Sequence, residues 1–151
     1  MKKLLLSFAF LLGFASLGFS QSQYDEALAT KLGADEYGMK KYVMAFLLRG
    51  DRVGEYSAEQ RQEIQGNHMA NIGKMADMGK LVVAGPFFGN EDLRGIYIFD
   101  VQSIEEAKAL TETDPAIQAG VLKMDLKEWY GSAALMMLSE MYPKITKTSI
   151  R

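Results

Sequence analysis

The chain has 151 residues, with 17 basic and 19 acidic side chains, one histidine and no cysteine. The lack of cysteine excludes disulfides and, with only one histidine, it also excludes the usual zinc sites built from several nitrogen and sulfur ligands. No basic stripe of the kind that binds nucleic acid is visible, so we expect no nucleic-acid partner.

Residues 1–20, MKKLLLSFAFLLGFASLGFS, have the pattern of an export signal. Lys2 and Lys3 give a basic start, a short apolar run follows, and Gly18 and Ser20 are small residues suited to cleavage. The apolar run is shorter than the roughly 20 residues of a membrane-spanning helix. We therefore predict cleavage after Ser20, a secreted or periplasmic product of net charge −4 (15 basic minus 19 acidic side chains), and no membrane attachment after cleavage.

The next part of the chain shows a helical lead-in, a strand and a long helix. Residues 21–40 have the pattern of a short helix followed by a glycine-punctuated segment. The apolar run KYVMAFLLRG at 41–50 is typical of a strand buried on both faces. Ser57 and Gln60 form a capping box, which predicts the start of a helix that Gly79 ends.

A second strand–strand–helix unit follows. Residues 81–88 predict a strand that breaks at Gly85–Pro86, and residues 96–101 predict the next strand. Ser103 and Glu106 form another capping box at the start of a second helix. The two halves of the chain therefore have similar element patterns.

The C-terminal part begins with clean alternation of apolar and charged residues over 122–130, which predicts a half-exposed strand whose lysines suit a sheet edge. Residues 132–142 predict a short amphipathic helix, with Ser132 as its cap rather than a nucleophile. The methionines of this tail indicate core filler. Residues 145–151 are expected to be irregular.

The element order β-α-β-β-α-β predicts an α+β fold with a ferredoxin-like sheet and both helices on one face. The strands at 41–50 and 96–101 are nevertheless apolar on both faces, so the helices would leave an apolar sheet face uncovered. Either a homodimer forms through this face or the terminal segments cover it. The homodimer is the preferred interpretation.

His68 lies on the apolar stripe of the first long helix with Ile64 and Ile72. A buried imidazole needs hydrogen-bond partners, because leaving it unpaired costs roughly 1–3 kcal/mol. A single backbone carbonyl would satisfy a structural histidine. Asp114 precedes Pro115, which is a favourable arrangement for a helix N-cap. Since capping occupies one carboxylate oxygen, the other remains free for an imidazole N–H.

Three segments resemble the YCII-related (YciI-like) domain family: HMANIGKMADMGKLVVAGPF, IYIFDVQSIEEAKAL and TDPAIQAGVL. The motifs are a histidine in the first helix, an A-G-P turn at Ala84–Pro86, and a D-P-x-x-x-A-G segment that starts at Asp114. The resemblance covers residues 41–130 and leaves 131–151 as a separate helical tail. It implies the dimeric α+β-barrel form of the ferredoxin-like fold, and a proposed active site that pairs His68 with Asp114.

These observations predict a small acid–base enzyme of the lyase or isomerase type. His68 would move a proton and Asp114 would orient the ring, and an unperturbed histidine, with a pKa near 6.5, suits such work at neutral pH. The expected ligand is a small apolar or aromatic molecule. The substrate-binding candidates are Gly85, Pro86, Phe87 and Tyr97. Phosphate loops, dinucleotide fingerprints and nucleophile motifs are absent from the sequence, so we expect no cofactor. A metal site built only from carboxylates stays possible, but no Asp-rich loop indicates one, so we expect no metal.

Two alternatives stay open at this stage. The protein is a non-catalytic dimeric domain that binds a small ligand or a partner in the same cleft, or His68 is a haem ligand, which absorbance in the Soret region would reveal. Phe88 and Trp129 are further aromatic residues that would line either an apolar pocket or the core.

Overall fold

The computed structural model describes residues 24–148. The predicted export signal therefore lies outside the described residues, as do residues 149–151 at the end of the tail. The helices and strands, in chain order, are α1 (Glu26–Leu32), β1 (Met39–Arg49), α2 (Ala58–Asp77), β2 (Leu81–Pro86), β3 (Leu93–Phe99), α3 (Ile104–Thr111), α4 (Pro115–Gln118), β4 (Leu122–Ser132) and α5 (Leu138–Ile145), with 3-10 helices at Val53–Glu55 and Ala133–Met137.

The four strands form one antiparallel sheet in the order β2-β3-β1-β4. This order, with α2 and α3 as the two connecting helices, confirms the predicted α+β fold and its ferredoxin-like arrangement. Val43, Ala45 and Leu47 of β1 share one face of the sheet and belong to the core. Met75 of α2 and Ala107 of α3 complete that core, so both helices pack on the same face.

The ends of α2 follow the sequence signals. The Ser57 side chain accepts from the Gln60 N–H while the Gln60 side chain accepts from the Ser57 N–H, which is the predicted capping box. Beyond the helix, Gly79 has φ 70°, a left-handed conformation that glycine adopts without steric cost. The length and direction of α2, which carries His68, are thus set by local sequence.

The terminal segments cover one end of the opposite sheet face. Tyr42 is fully buried there beside Trp129, and its hydroxyl donates to the Ser132 carbonyl at 3.1 Å. An ion pair between Lys31 of α1 and Glu140 of α5 joins the lead-in to the tail. Ile98 of this face is buried as well, whereas Met44, Phe46 and Ile96 are only half-buried.

The structure differs from the sequence expectation at several element boundaries. β2 ends at Pro86 rather than at 88, and β3 runs over Leu93–Phe99 rather than over 96–101. β1 begins at Met39 rather than at 41, because Met39 and Lys40 pair with Ser132 and Gly131 in the ladder with β4. The tail is a 3-10 helix followed by α5, and Ile145 closes α5 instead of beginning an irregular segment. Ser132 caps the tail as predicted, since its hydroxyl accepts from the Ala134 N–H. None of the helices within residues 24–148 is long and apolar enough to cross a membrane.

Candidate functional site

The structure places the two sequence candidates His68 and Asp114 in direct contact. Nδ1 of His68 lies 2.8 Å from Oδ2 of Asp114, which is a normal hydrogen-bond distance. Asp114 is completely buried and His68 retains 6 % of its surface. A buried hydrogen bond therefore joins two side chains that are 46 residues apart in the sequence.

Asp114 is also held in place as a helix N-cap, which is the other role predicted for it. Its Oδ1 accepts from the Ala116 N–H at 2.9 Å, so the carboxylate caps the short helix α4 while Oδ2 faces His68. The chain then turns at Gly120, where φ is 69°. Gly50 at the end of β1 lies so close to the Gly120 carbonyl that a Cβ on Gly50 would approach its oxygen to 2.1 Å. Two glycines thus allow the Asp114 segment to pack against the sheet.

Tyr97 completes the environment of the imidazole. It lies on β3, on the face that packs against the helices, and its hydroxyl oxygen is 3.4 Å from Nε2 of His68. The two rings are nearly parallel, with centroids 6.3 Å apart. Burial, and secondarily the charge of Asp114, raises the pKa of Tyr97 far above its usual range. The hydroxyl therefore stays neutral and can donate a hydrogen bond at every physiological pH.

These contacts determine which ring nitrogen is available for chemistry. A carboxylate is only an acceptor, so Nδ1 of His68 donates its hydrogen to Asp114. In the neutral ring Nε2 is then unprotonated, and it faces the Tyr97 hydroxyl and the cavity described next. The arrangement presents a base with a negative charge behind it and a neutral donor beside it.

A cavity of about 870 Å³ lies over the imidazole, between α2, the edge strand β2 and the tail helix α5. This volume is within the range of small-molecule sites. His68 and all four predicted substrate-binding residues line it, namely Gly85, Pro86, Phe87 and Tyr97. Asp114 is not among the lining residues and acts only through His68.

The other two aromatic candidates lie elsewhere. Phe88 is fully exposed and does not line the cavity. Trp129 packs with Tyr42 on the opposite sheet face, where their ring centroids are 5.9 Å apart. Within residues 24–148, no group of three or more His, Cys, Asp and Glu side chains is arranged as a metal site.

The sequence reasoning missed two sets of lining residues. The first set consists of the arginines at 49, 61 and 94. A signal for Arg61 was present, because it precedes His68 by two helical turns and therefore lies on the same face of α2. The second set is on α5 and comprises Leu138, Met141, Tyr142 and Ile145. No local signal in the tail indicates that it returns to the histidine.

Comparison with protein families agrees with the motifs found in the sequence. The profile of the YCII-related domain matches residues 44–130. Among solved structures, the chain is similar to 5-chloro-2-hydroxyhydroquinone dehydrochlorinase (TftG) from Burkholderia phenoliruptrix AC1100. That structure is a complex with 2,5-dihydroxybenzoquinone. That similarity has a TM-score of 0.43 and 20 % identity, and covers 60 % of this chain and 93 % of the other. A search of curated proteins found no match.

The profile match spans more than half of the chain and includes every motif that carried the resemblance: His68, the turn at Ala84–Pro86, and the segment from Asp114 to Gly120. The chain belongs to the YCII-related domain family.

Proposed function

We propose that this protein is a cofactor-free acid–base enzyme of the lyase or isomerase type, acting on a small apolar or aromatic molecule. The observation that carries the proposal is the 2.8 Å contact between His68 and the buried Asp114 at the wall of a cavity of ligand size. A structural histidine sealed in the core would have the same carboxylate partner without a cavity in front of its second nitrogen.

The proposed chemistry follows from the roles of the three side chains. Nε2 of His68 removes a proton from a substrate carbon, and the Asp114 carboxylate stabilises the imidazolium that forms. Tyr97, which remains a neutral donor, hydrogen-bonds the oxygen on which negative charge develops. The imidazolium then returns the proton to another atom in an isomerisation, or protonates the leaving group in an elimination.

A base-catalysed ring opening that needs no cofactor tests this proposal. In nitrobenzisoxazole a base removes the carbon-bound proton, the ring N–O bond breaks and the product is a nitrile with a phenolate. We expect wild-type protein to accelerate the reaction and His68→Gln to lose about 100-fold or more of that rate. Gln65→Ala, which changes a lining residue of the same helix without a titratable group, is the control and should retain the rate. Equal rates for wild type and His68→Gln would refute the role of His68 as the base.

One observation favours the alternative of a non-catalytic binding domain. His68 is only 6 % exposed and its Nε2 is next to the Tyr97 hydroxyl, so a substrate atom reaches Nε2 only if that hydroxyl yields its place. A binding domain would take up ligands in the same cavity, with thermal stabilisation that is equal in wild type and His68→Gln, and without ring opening. The two measurements together separate the functions.

We also propose that the protein is exported and that it forms a homodimer. Export is supported by the basic start and short apolar run of residues 1–20, and N-terminal sequencing of the exported protein should give Gln21 first. An intact Met1 would contradict it. The homodimer is supported by the half-buried apolar residues of the sheet face opposite α2 and α3, chiefly Met44, Phe46 and Ile96.

A further inference from the structure

The cavity over His68 has an asymmetric distribution of charge. Among the described residues, its charged lining residues apart from the histidine are Arg49, Arg61, Arg94 and one carboxylate, Asp77. Arg61 is in the first part of α2 and Asp77 is its last residue, so their backbones are about 24 Å apart at a rise of 1.5 Å per residue. The positive charge of Arg61 is therefore separated from the carboxylate of Asp77 by most of the length of the helix.

The three arginines come from three elements that meet at the same end of the sheet. Arg49 is the last residue of β1, and its N–H donates to the Asp92 carbonyl at 2.7 Å, next to the start of β3. Arg94 follows in β3, and its carbonyl accepts from the Phe87 N–H at 2.8 Å. Arg61 enters from the N-terminal part of α2. A substrate-binding candidate, Phe87, thus lies directly beside this arginine end.

Within residues 24–148, no carboxylate forms an ion pair with the arginines of this end, although the charge of Arg61 acts on the nearby carboxylate of Glu59. Arg52, in contrast, forms an ion pair with Glu55 at 2.8 Å, and it does not line the cavity. Arg61 donates to the Tyr56 carbonyl and Arg94 to the Glu91 carbonyl. A guanidinium has five N–H donors, so most donors of these side chains remain available for an anion.

The wall that α5 and Phe87 contribute to the cavity is largely apolar, and its apolar side chains are partly exposed to solvent. On α5, Leu138, Met141 and Ile145 are 41 %, 43 % and 80 % exposed, and Phe87 on the other side is 49 % exposed. All four line the cavity. Exposed apolar surface concentrated in a concave site is best explained by an apolar ligand that covers it.

We propose that the cavity binds an elongated apolar molecule that carries a carboxylate, with the carboxylate at the arginine end and the apolar body along α5. The inference deepens the proposed function and rests on it, since it names the substrate class of the same cavity. His68 lies about 10 Å along α2 from Arg61 at 1.5 Å per residue. The reacting carbon would therefore be several bonds from the carboxylate.

Calorimetric titration with three probes of equal chain length tests the proposal: dodecanoate, dodecanol and dodecylammonium, each below its micelle concentration. We expect wild type to bind dodecanoate at least about tenfold more tightly than dodecanol, and dodecylammonium most weakly. Arg61→Gln and Arg94→Gln should each weaken dodecanoate about tenfold, the effect of losing one charge-assisted hydrogen bond, and leave dodecanol unchanged. Arg52→Gln is the matched control and should behave as wild type.

Two outcomes would overturn the proposal: equal affinity for the three probes, or arginine variants that bind dodecanoate as wild type does. The ring-opening assay with His68→Gln keeps this test separate from that of the proposed function, because it reports on the base and not on the carboxylate of the ligand. Arginine-dependent binding together with ring opening that does not require His68 would refute the enzyme and leave the ligand class intact. Ring opening that requires His68, without charge selectivity, would support the enzyme and refute the ligand class.

Discussion

Asp114 uses its two oxygens for two different partners, the Ala116 N–H and the Nδ1–H of His68. In Asp114→Asn the side-chain oxygen is expected to stay with the Ala116 N–H, since asparagine caps helices as well as aspartate. The amide NH₂ then faces Nδ1 and donates to it, which moves the ring hydrogen to Nε2. We predict inversion of the His68 tautomer, read from ring nitrogen shifts by NMR, together with loss of ring opening. An unchanged tautomer would contradict the role assigned to Oδ2.

Asp114→Ala removes both interactions and should act on stability as well. Loss of the cap costs about 0.5–2 kcal/mol, and the buried imidazole without its partner costs about 1–3 kcal/mol. We predict a clear fall in the denaturant midpoint for the alanine variant and a much smaller one for the asparagine variant. Equal destabilisation of the two variants would show that the charge, and not the cap, stabilises this segment.

Tyr97 links the site to the stability of the protein at high pH. Its pKa is raised in the folded state, whereas in the unfolded chain it returns to about 10. The contribution of the neutral Tyr97 to the free energy of unfolding is therefore fully present below about pH 10. It is lost as the pH rises above that value, by up to about 1.4 kcal/mol per pH unit. We predict that Tyr97→Phe flattens the fall in unfolding free energy between about pH 10 and 11.5. Tyr37→Phe, at a residue that is 76 % exposed, is the control and should keep the wild-type slope.

At the scale of elements, two glycines next to the site are expected to respond in opposite ways to substitution by alanine. Gly66 lies in the exposed middle of α2 with open space around its Cβ position, whereas a Cβ on Gly50 meets the Gly120 backbone. We predict that Gly66→Ala stabilises the protein by about 0.5–1 kcal/mol, because alanine is the better helix former. Gly50→Ala should destabilise it and displace the Asp114 segment. Denaturant unfolding measures both, and a tolerated Gly50→Ala would contradict the close packing.

Features that depend on interactions between residues close in the sequence were predictable, and features that depend on contacts between distant parts of the chain were not. The capping box at Ser57, the left-handed Gly79 and the Asp114 cap are short-range interactions, so the sequence pattern sufficed. The extension of β1 to Met39 depends on pairing with β4, which is far away in the chain. For the site, the helical stripe identified His68, whereas the tail helix reaches the cavity through contacts that no periodicity records.

At the scale of the whole molecule, the sheet has one face packed by α2 and α3 and another that the terminal segments cover only at the Tyr42 end. Met44 and the cross-strand pair Phe46–Ile96 form the remaining apolar surface, whereas Ile98, which pairs with Met44, is buried. Specific protein interfaces bury about 1,200–2,000 Å² in total and are most apolar at their centre, where this surface would lie. Such a surface is therefore the expected contact between two copies of the chain.

Light scattering at micromolar concentration tests this expectation. We predict the mass of a dimer for wild type and of a monomer for Phe46→Glu, since the variant would bury a carboxylate without a partner in the interface. Met78→Glu introduces the same charge at an apolar residue that is 54 % exposed at the end of α2, away from this face, and should remain dimeric. A monomeric wild type would show that the half-buried face is stable without a partner. A dimer that survives Phe46→Glu would place the interface on another surface, for which the exposed apolar residues of α5 are the candidate.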